Sequence, residues 1–210
     1  MAEPTLREVS QSPQYSFIEK VVVIPVLVLR RFSASRLFRV SDPKRRHVRM
    51  DVYNLMFLLV VSAALVFASS IPVVAASVAI YRWVDVTGYR VYFLLVKSRR
   101  EPWVPGIARR SIIIAFVNFV EVIICFAIVY LTVGDIKPTS TVAGCSFDSV
   151  TALYFSAITM FTIGYGDFVP VSSLSRMFVI LQCCSGLVFF AFVIPALMSL
   201  FSALGGEEQR

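Results

Sequence analysis

Charged residues are absent, or nearly so, from four stretches of this chain. Positions 53–80 and 177–204 carry none, 111–134 carries only Glu121, and 148–160 is a shorter run that is apolar after its leading Asp148. Uninterrupted apolar runs of this length predict helices that lie in a membrane, not the one-sided stripes of a soluble bundle. A helix over 53–80 or 177–204 would be about 42 Å long, against a hydrocarbon core of roughly 30 Å. The second fits as a tilted span. The first is interrupted by Ser69-Ser70-Ile71-Pro72, where proline's missing amide predicts a kink or turn near 68–72. Two arrangements stay open there: one long tilted helix with the amino terminus outside, or a hairpin or re-entrant pair with arms of only about 21 Å. The helix at 148–160 is too short to span, with Ser146 as its candidate cap and Asp148 in its first turn.

The remaining segments are read from what lies between. Positions 1–14 are polar, and the apolar run 21–29, broken by Pro25, is too short to cross and is expected at the interface or against another helix. From 81 to 106, Arg82, Asp85 and Arg90 alternate with aromatics, which predicts an amphipathic helix on the inner membrane surface. The chain thus divides into a basic, partly mobile or interfacial segment (1–50), a membrane segment with its linker (51–110), a core unit (111–204) and a short tail (205–210).

The stretch with the most specific chemistry is Thr159-Met160-Phe161-Thr162-Ile163-Gly164-Tyr165-Gly166-Asp167. A cation gives up its water only where other oxygens replace it, and successive backbone carbonyls can supply them if alternate residues take left-handed dihedrals. Glycine does so freely, so Gly164 and Gly166 stand where a carbonyl ladder needs them. Thr162, Ile163, Gly164 and Tyr165 are then the carbonyl donors.

Over roughly 111–204 the sequence resembles the potassium-channel pore-loop family, whose signature is T-V-G-Y-G with Ile163 here in place of valine. The resemblance implies an all-α membrane protein: outer helix, half-membrane pore helix, filter and inner helix of a tetrameric cation channel, preceded here by an additional hydrophobic helical segment. It implies a homotetramer in the cell membrane that conducts K+ passively, with K+ held at Thr162, Ile163, Gly164 and Tyr165 and the filter closed by Gly166. It places Tyr154, Phe155 and Asp167 in the filter's support, Tyr154 bonding Asp167. Phe155 stands where many members carry tryptophan and has no ring donor, so a filter prone to inactivation is expected. Gly186 and Pro195 fall at the spacings of the family's hinge glycine and of a kink proline, and are the candidate gate. Glu121 lies about 16 Å along its helix from Arg110, at mid-membrane depth, where a carboxyl needs a proton or a partner. It is the candidate intramembrane sensor, with Asn118 one turn earlier.

Composition and charge narrow the alternatives. The chain is 58% hydrophobic with a mean hydropathy of +0.79, and its formal net charge of +7 is concentrated at 30–49 and 97–110. Basic residues flanking apolar spans predict cytoplasmic anchors on anionic lipid, not nucleic-acid binding. Arg36 and Arg39 are the nearest approach to a voltage-sensor repeat, but they stand outside any long apolar span. The four cysteines, Cys125, Cys145, Cys183 and Cys184, form no metal-ligand spacing. His47 is the one histidine and no nucleophile–base pair appears, so neither an enzyme nor a cofactor is expected. The rival readings are a non-selective cation channel and a membrane adaptor or subunit of a potassium-uptake complex.

Overall fold

The computed structural model describes residues 16–31, 43–97, 105–140 and 144–207. The expectations for positions 1–14 and for Arg36 and Arg39 fall outside them. Six α-helices occur among the described residues: α1 (Phe17–Arg31), α2 (Pro43–Val66), α3 (Pro72–Tyr92), α4 (Pro105–Thr132), α5 (Ser149–Met160) and α6 (Ser173–Glu207). A π-helical turn at Phe93–Lys97 extends α3, and the short strands β1 (Ile136–Pro138) and β2 (Phe168–Pro170) flank α5. It is an all-α membrane protein. Val48–Val66, Arg110–Thr132 and Ser173–Ser202 are long and apolar enough to cross a bilayer.

The stretch 53–80 is a hairpin. Pro72 occupies the first turn of α3, where its missing amide is one that no helix would pair, and 67–71 form the turn, with the Ser70 and Ile71 N–H groups donating to the Phe67 carbonyl. The single tilted helix is therefore excluded. The arms are also longer than the sequence suggests, about 36 Å for the 24 residues of α2 and about 32 Å for the 21 of α3. They grow by taking in charged residues at both ends.

A correction concerns 81–97, the described part of the segment read as an amphipathic surface helix. Instead of an amphipathic helix on the surface, Arg82 and Arg90 lie on α3 with 1% exposure each, buried with Val86 against α4 and α6. Alanines 75, 76 and 79 on α3 allow close approach, and Ala75 and Ala79 share a core with Ile124, Cys125, Ile128 and Val129 of α4. A second core gathers Val86, Phe126, Tyr130, Phe155, Met160 and Phe189 where α3, α4, α5 and α6 meet. Near its other end α3 carries Tyr92 and Val96 of the π-turn against Val23, Val26 and Leu27 of α1, so the 21–29 run packs on another helix.

The helix directions fix which ends lie together. Ser149 at the start of α5 reaches the Leu65 carbonyl at 3.4 Å, which puts the hairpin turn beside the mouth of the pore helix. At the opposite end Arg110 pairs with Asp51 at 2.7 Å, so α2 and α4 start together. The basic starts of α2 and α4 share that end, as the positive-inside rule requires.

Candidate functional site

The pore helix α5 is fixed at both ends by the chain's own hydrogen bonds. Its N-cap is Asp148, not Ser146: the Asp148 Oδ1 accepts from the Thr151 N–H at 2.8 Å and from its hydroxyl at 2.7 Å. These two bonds hold the Asp148 carboxyl below its ordinary pKa. At the C-terminal end the Phe161 N–H donates to the Ala157 carbonyl, Thr162 to Thr159 at 3.0 Å and Ile163 to Ile158 at 2.8 Å. The helix therefore closes tightly before the chain turns away from it.

Past the helix the backbone alternates in hand. Thr162, Gly164 and Gly166 have φ of +56°, +58° and +76°, with Ile163 and Tyr165 between them in ordinary conformations. Thr162 is the one non-glycine with positive φ among the described residues, and a β-branched residue there stores strain on the order of 1–3 kcal/mol. A side chain at Gly164 or Gly166 would meet nothing within 4 Å. Within one chain, glycine is needed there for its dihedral, not for space. Alternation of this kind turns successive carbonyls toward one side, which is what a dehydrated cation requires.

Asp167 anchors the far end. Its Oδ2 accepts from the Tyr154 hydroxyl at 2.7 Å and its Oδ1 from the Phe168 N–H at 3.0 Å. Its carbonyl accepts from the Thr139 N–H at 2.8 Å and the Thr139 hydroxyl at 3.0 Å. β2 then pairs antiparallel with β1, Ile136 opposite Pro170 and Pro138 opposite Phe168. Phe155 lies in the core at 4% exposure, its ring edge-on to Tyr130 at 5.0 Å and near Phe147.

Gly186 and Pro195 both lie within the unbroken helix α6. A Cβ at Gly186 would stand 3.1 Å from the Met160 carbonyl, so here the inner helix abuts the end of the pore helix. Glu121 is fully buried and its partner is Arg82, not Asn118. Glu121 Oε2 accepts from Arg82 Nη2 at 2.6 Å and Nε at 3.0 Å. Arg82 also donates to Asn54 at 2.8 Å and Asp85 at 3.2 Å, and its guanidinium lies over the rings of Tyr53 and Phe57.

Sequence reasoning misses Arg82, Arg90 and Gln182. Arg90 lies 4.2 Å from the centre of the Phe192 ring on α6, and Trp83 donates its ring N–H to the Ser185 hydroxyl at 2.8 Å. Glu121 is the signal for Arg82, since a buried acid calls for a cation. The cysteines are free, with Cys145 exposed.

Residues 143–203 match a family model described as ion channel. Voltage-gated potassium channel Kch of Escherichia coli (strain K12) is 32% identical over 118 residues, covering 55% of this chain and 25% of that protein. Two-pore potassium channel 1 of Arabidopsis thaliana is 40% identical over 70 residues, 31% of this chain and 19% of the relative. Probable potassium channel protein 2 of Methanocaldococcus jannaschii is 45% identical over 57 residues, covering 27% and 15%. The pore segment belongs to the potassium-channel pore-loop family. Members of that family are channels, not enzymes. The chain spans a quarter or less of the length of these curated relatives, and no solved structure matches it.

Proposed function

We propose that four copies of this chain assemble around a common axis into a potassium-selective channel of the cell membrane. K+ passes down its gradient along the carbonyls of Thr162, Ile163, Gly164 and Tyr165. The observation that carries this reading is the left-handed backbone at Thr162, Gly164 and Gly166. One chain supplies one edge of a carbonyl ring, and closed cyclic symmetry supplies the rest. The exposure of Ile163 (52%) and Tyr165 (70%) in the single chain supports an edge that other copies cover.

An ion entering from the cavity below the filter exchanges water for these carbonyls and for the Thr162 hydroxyl, and leaves by repulsion from the next ion. The carbonyl end of α5 favours a cation at the filter's inner mouth. Tyr154 and Asp167 brace the outer end, and Phe155 supports the pore helix from behind. Gly186 and Pro195 form the gate: glycine permits bending, and proline leaves a backbone carbonyl one turn earlier without its helical donor. The ion pair with Arg82 favours a structural role for Glu121 over a sensing one. The basic ends of α2 and α4 rest on anionic lipid.

The test is the reversal potential of the purified protein in planar bilayers, with a potassium gradient opposed by sodium. A value near the potassium equilibrium potential, lost with Gly164→Ala, is the expected outcome. Open current reversing near zero would overturn potassium selectivity in favour of a non-selective pore. A silent bilayer, together with thermal stability indifferent to K+ over Na+, would favour an adaptor or uptake subunit.

A further inference from the structure

Behind the filter, one chain of hydrogen bonds crosses all three pore helices. The Tyr130 hydroxyl on α4 donates to Gln182 Oε1 on α6 at 2.7 Å. Gln182 Nε2 lies 2.8 Å from both the carbonyl and the hydroxyl of Ser156 on α5, and the Ser156 hydroxyl donates to the Ile123 carbonyl of α4 at 2.7 Å. The directions of these bonds are determined. The Ser156 carbonyl can only accept, so the amide nitrogen of Gln182 must face it and the amide oxygen must face Tyr130. The Ser156 hydrogen goes to Ile123, which leaves its lone pairs for Gln182. Gln182 and Ser156 have no exposure and Tyr130 has 1%. An apolar side chain would fill the same space, so packing alone does not account for a glutamine here.

We propose that Gln182 is a positioning residue for the filter, an inference that rests on the channel reading. It holds Ser156, in the third turn of α5, and thereby sets the depth and rotation of the pore helix. Two residues further, the Ile158 carbonyl receives the Ile163 N–H at 2.8 Å, so the setting of the helix passes directly into the carbonyl ladder. Gln182 also stands one helical turn before Gly186. The inner helix is thus fastened to the pore helix ahead of its hinge, and bending beyond Gly186 leaves the fastened part in place.

The experiment uses the full chain in lipid, with Gln182→Leu and Tyr130→Phe, and reads two quantities. The first is the decay of potassium current after opening, together with the potassium-to-sodium permeability ratio. The second is amide hydrogen exchange at 157–166, with 55–64 on α2, outside this network, as the internal reference. Loss of the three buried hydrogen bonds that Gln182 makes predicts decay and local exchange at least about tenfold faster in Gln182→Leu. The reference segment should stay at its wild-type rate and the permeability ratio should fall. Tyr130→Phe keeps Gln182 on Ser156 but frees its amide oxygen, so it should move both readouts the same way by a smaller factor. Wild-type decay and exchange in Gln182→Leu would overturn the inference. If that variant fails to assemble, wild-type exchange in Tyr130→Phe overturns it instead. A wild-type protein that passes no selective current sinks the channel reading, while exchange at 157–166 still decides the role of Gln182.

Discussion

Replacing Arg82 by methionine should be the most damaging single change outside the filter. Arg82 and Glu121 are 1% and 0% exposed and meet at 2.6 Å. Removing the guanidinium leaves a carboxylate buried with no cation at hydrogen-bond distance, which costs about 3–5 kcal/mol for a broken buried pair. Glu121→Leu should cost less, about 1–2 kcal/mol, because Arg82 retains Asp85, Asn54 and two aromatic faces. In the double variant, Arg82→Met with Glu121→Leu, neither member of the pair is left without the other, and Asp85 keeps its bond from the Tyr53 hydroxyl at 2.9 Å. Its stability should return to within about 1–2 kcal/mol of the parent, a coupling well above the scatter expected of independent sites. Reversible denaturation in mixed micelles measures all four proteins on one scale. The reasoning fails if Arg82→Met costs less than about 1 kcal/mol, or if the double variant is no more stable than Arg82→Met alone.

Four single contacts carry further expected outcomes. Gly164→Ala forces a Cβ into φ +58° at a cost of about 1–2 kcal/mol; it should abolish selective current in bilayers while the elution volume on size exclusion stays that of the parent protein. Tyr154→Phe removes the 2.7 Å bond to Asp167 and should accelerate current decay roughly tenfold, read by voltage-step recordings at constant potassium. Gly186→Ala brings a Cβ to 3.1 Å from the Met160 carbonyl; it should lower open probability in single-channel records without moving the reversal potential. Asp148 has a folded-state pKa below its unfolded one, so its stabilising contribution is complete above about pH 4 and is lost as pH falls further. Asp148→Asn, which keeps the capping oxygen but does not titrate, should flatten that acid limb in melting curves collected from about pH 5 to pH 2.

How far the sequence discloses the molecule depends on whether a feature is local. Gly164 and Gly166 declare their dihedrals by residue type, and Tyr154 and Asp167 lie within reach of each other across the same loop, so the backbone geometry of 162–167 is legible. The outer, pore and inner helices are legible because unbroken apolar runs have few other uses. Arg82 and Arg90 are not, because a charge at the end of an apolar run reads as the boundary of a span. Only a partner 39 positions away, Glu121, makes Arg82 an interior residue. The hairpin arms read too short for that same reason. β1 and β2 escape notice because three-residue strands leave no periodicity and each ends in proline, a residue that argues against a strand when read alone. The cap is Asp148 and not Ser146, a choice that residue type leaves open and that only the Thr151 contacts decide.

The buried polar pairs share a purpose that no one of them shows singly. In lipid, apolar helix faces gain little by meeting each other instead of acyl chains, so docking and register need polar contacts and close small-residue packing. Five helix pairs here have such a contact. Asn54 with Arg82 and Tyr53 with Asp85 join α2 to α3, and Arg82 with Glu121 joins α3 to α4. Trp83 with Ser185 joins α3 to α6. Tyr130 with Gln182 joins α4 to α6, and Gln182 with Ser156 joins α6 to α5. A slip of one helical turn along any of these interfaces would strand a donor or acceptor where no water can replace its partner. The contacts that hold α2 and α3 to the pore domain therefore act together with those of Gln182 to fix the height of the pore helix, and with it the filter.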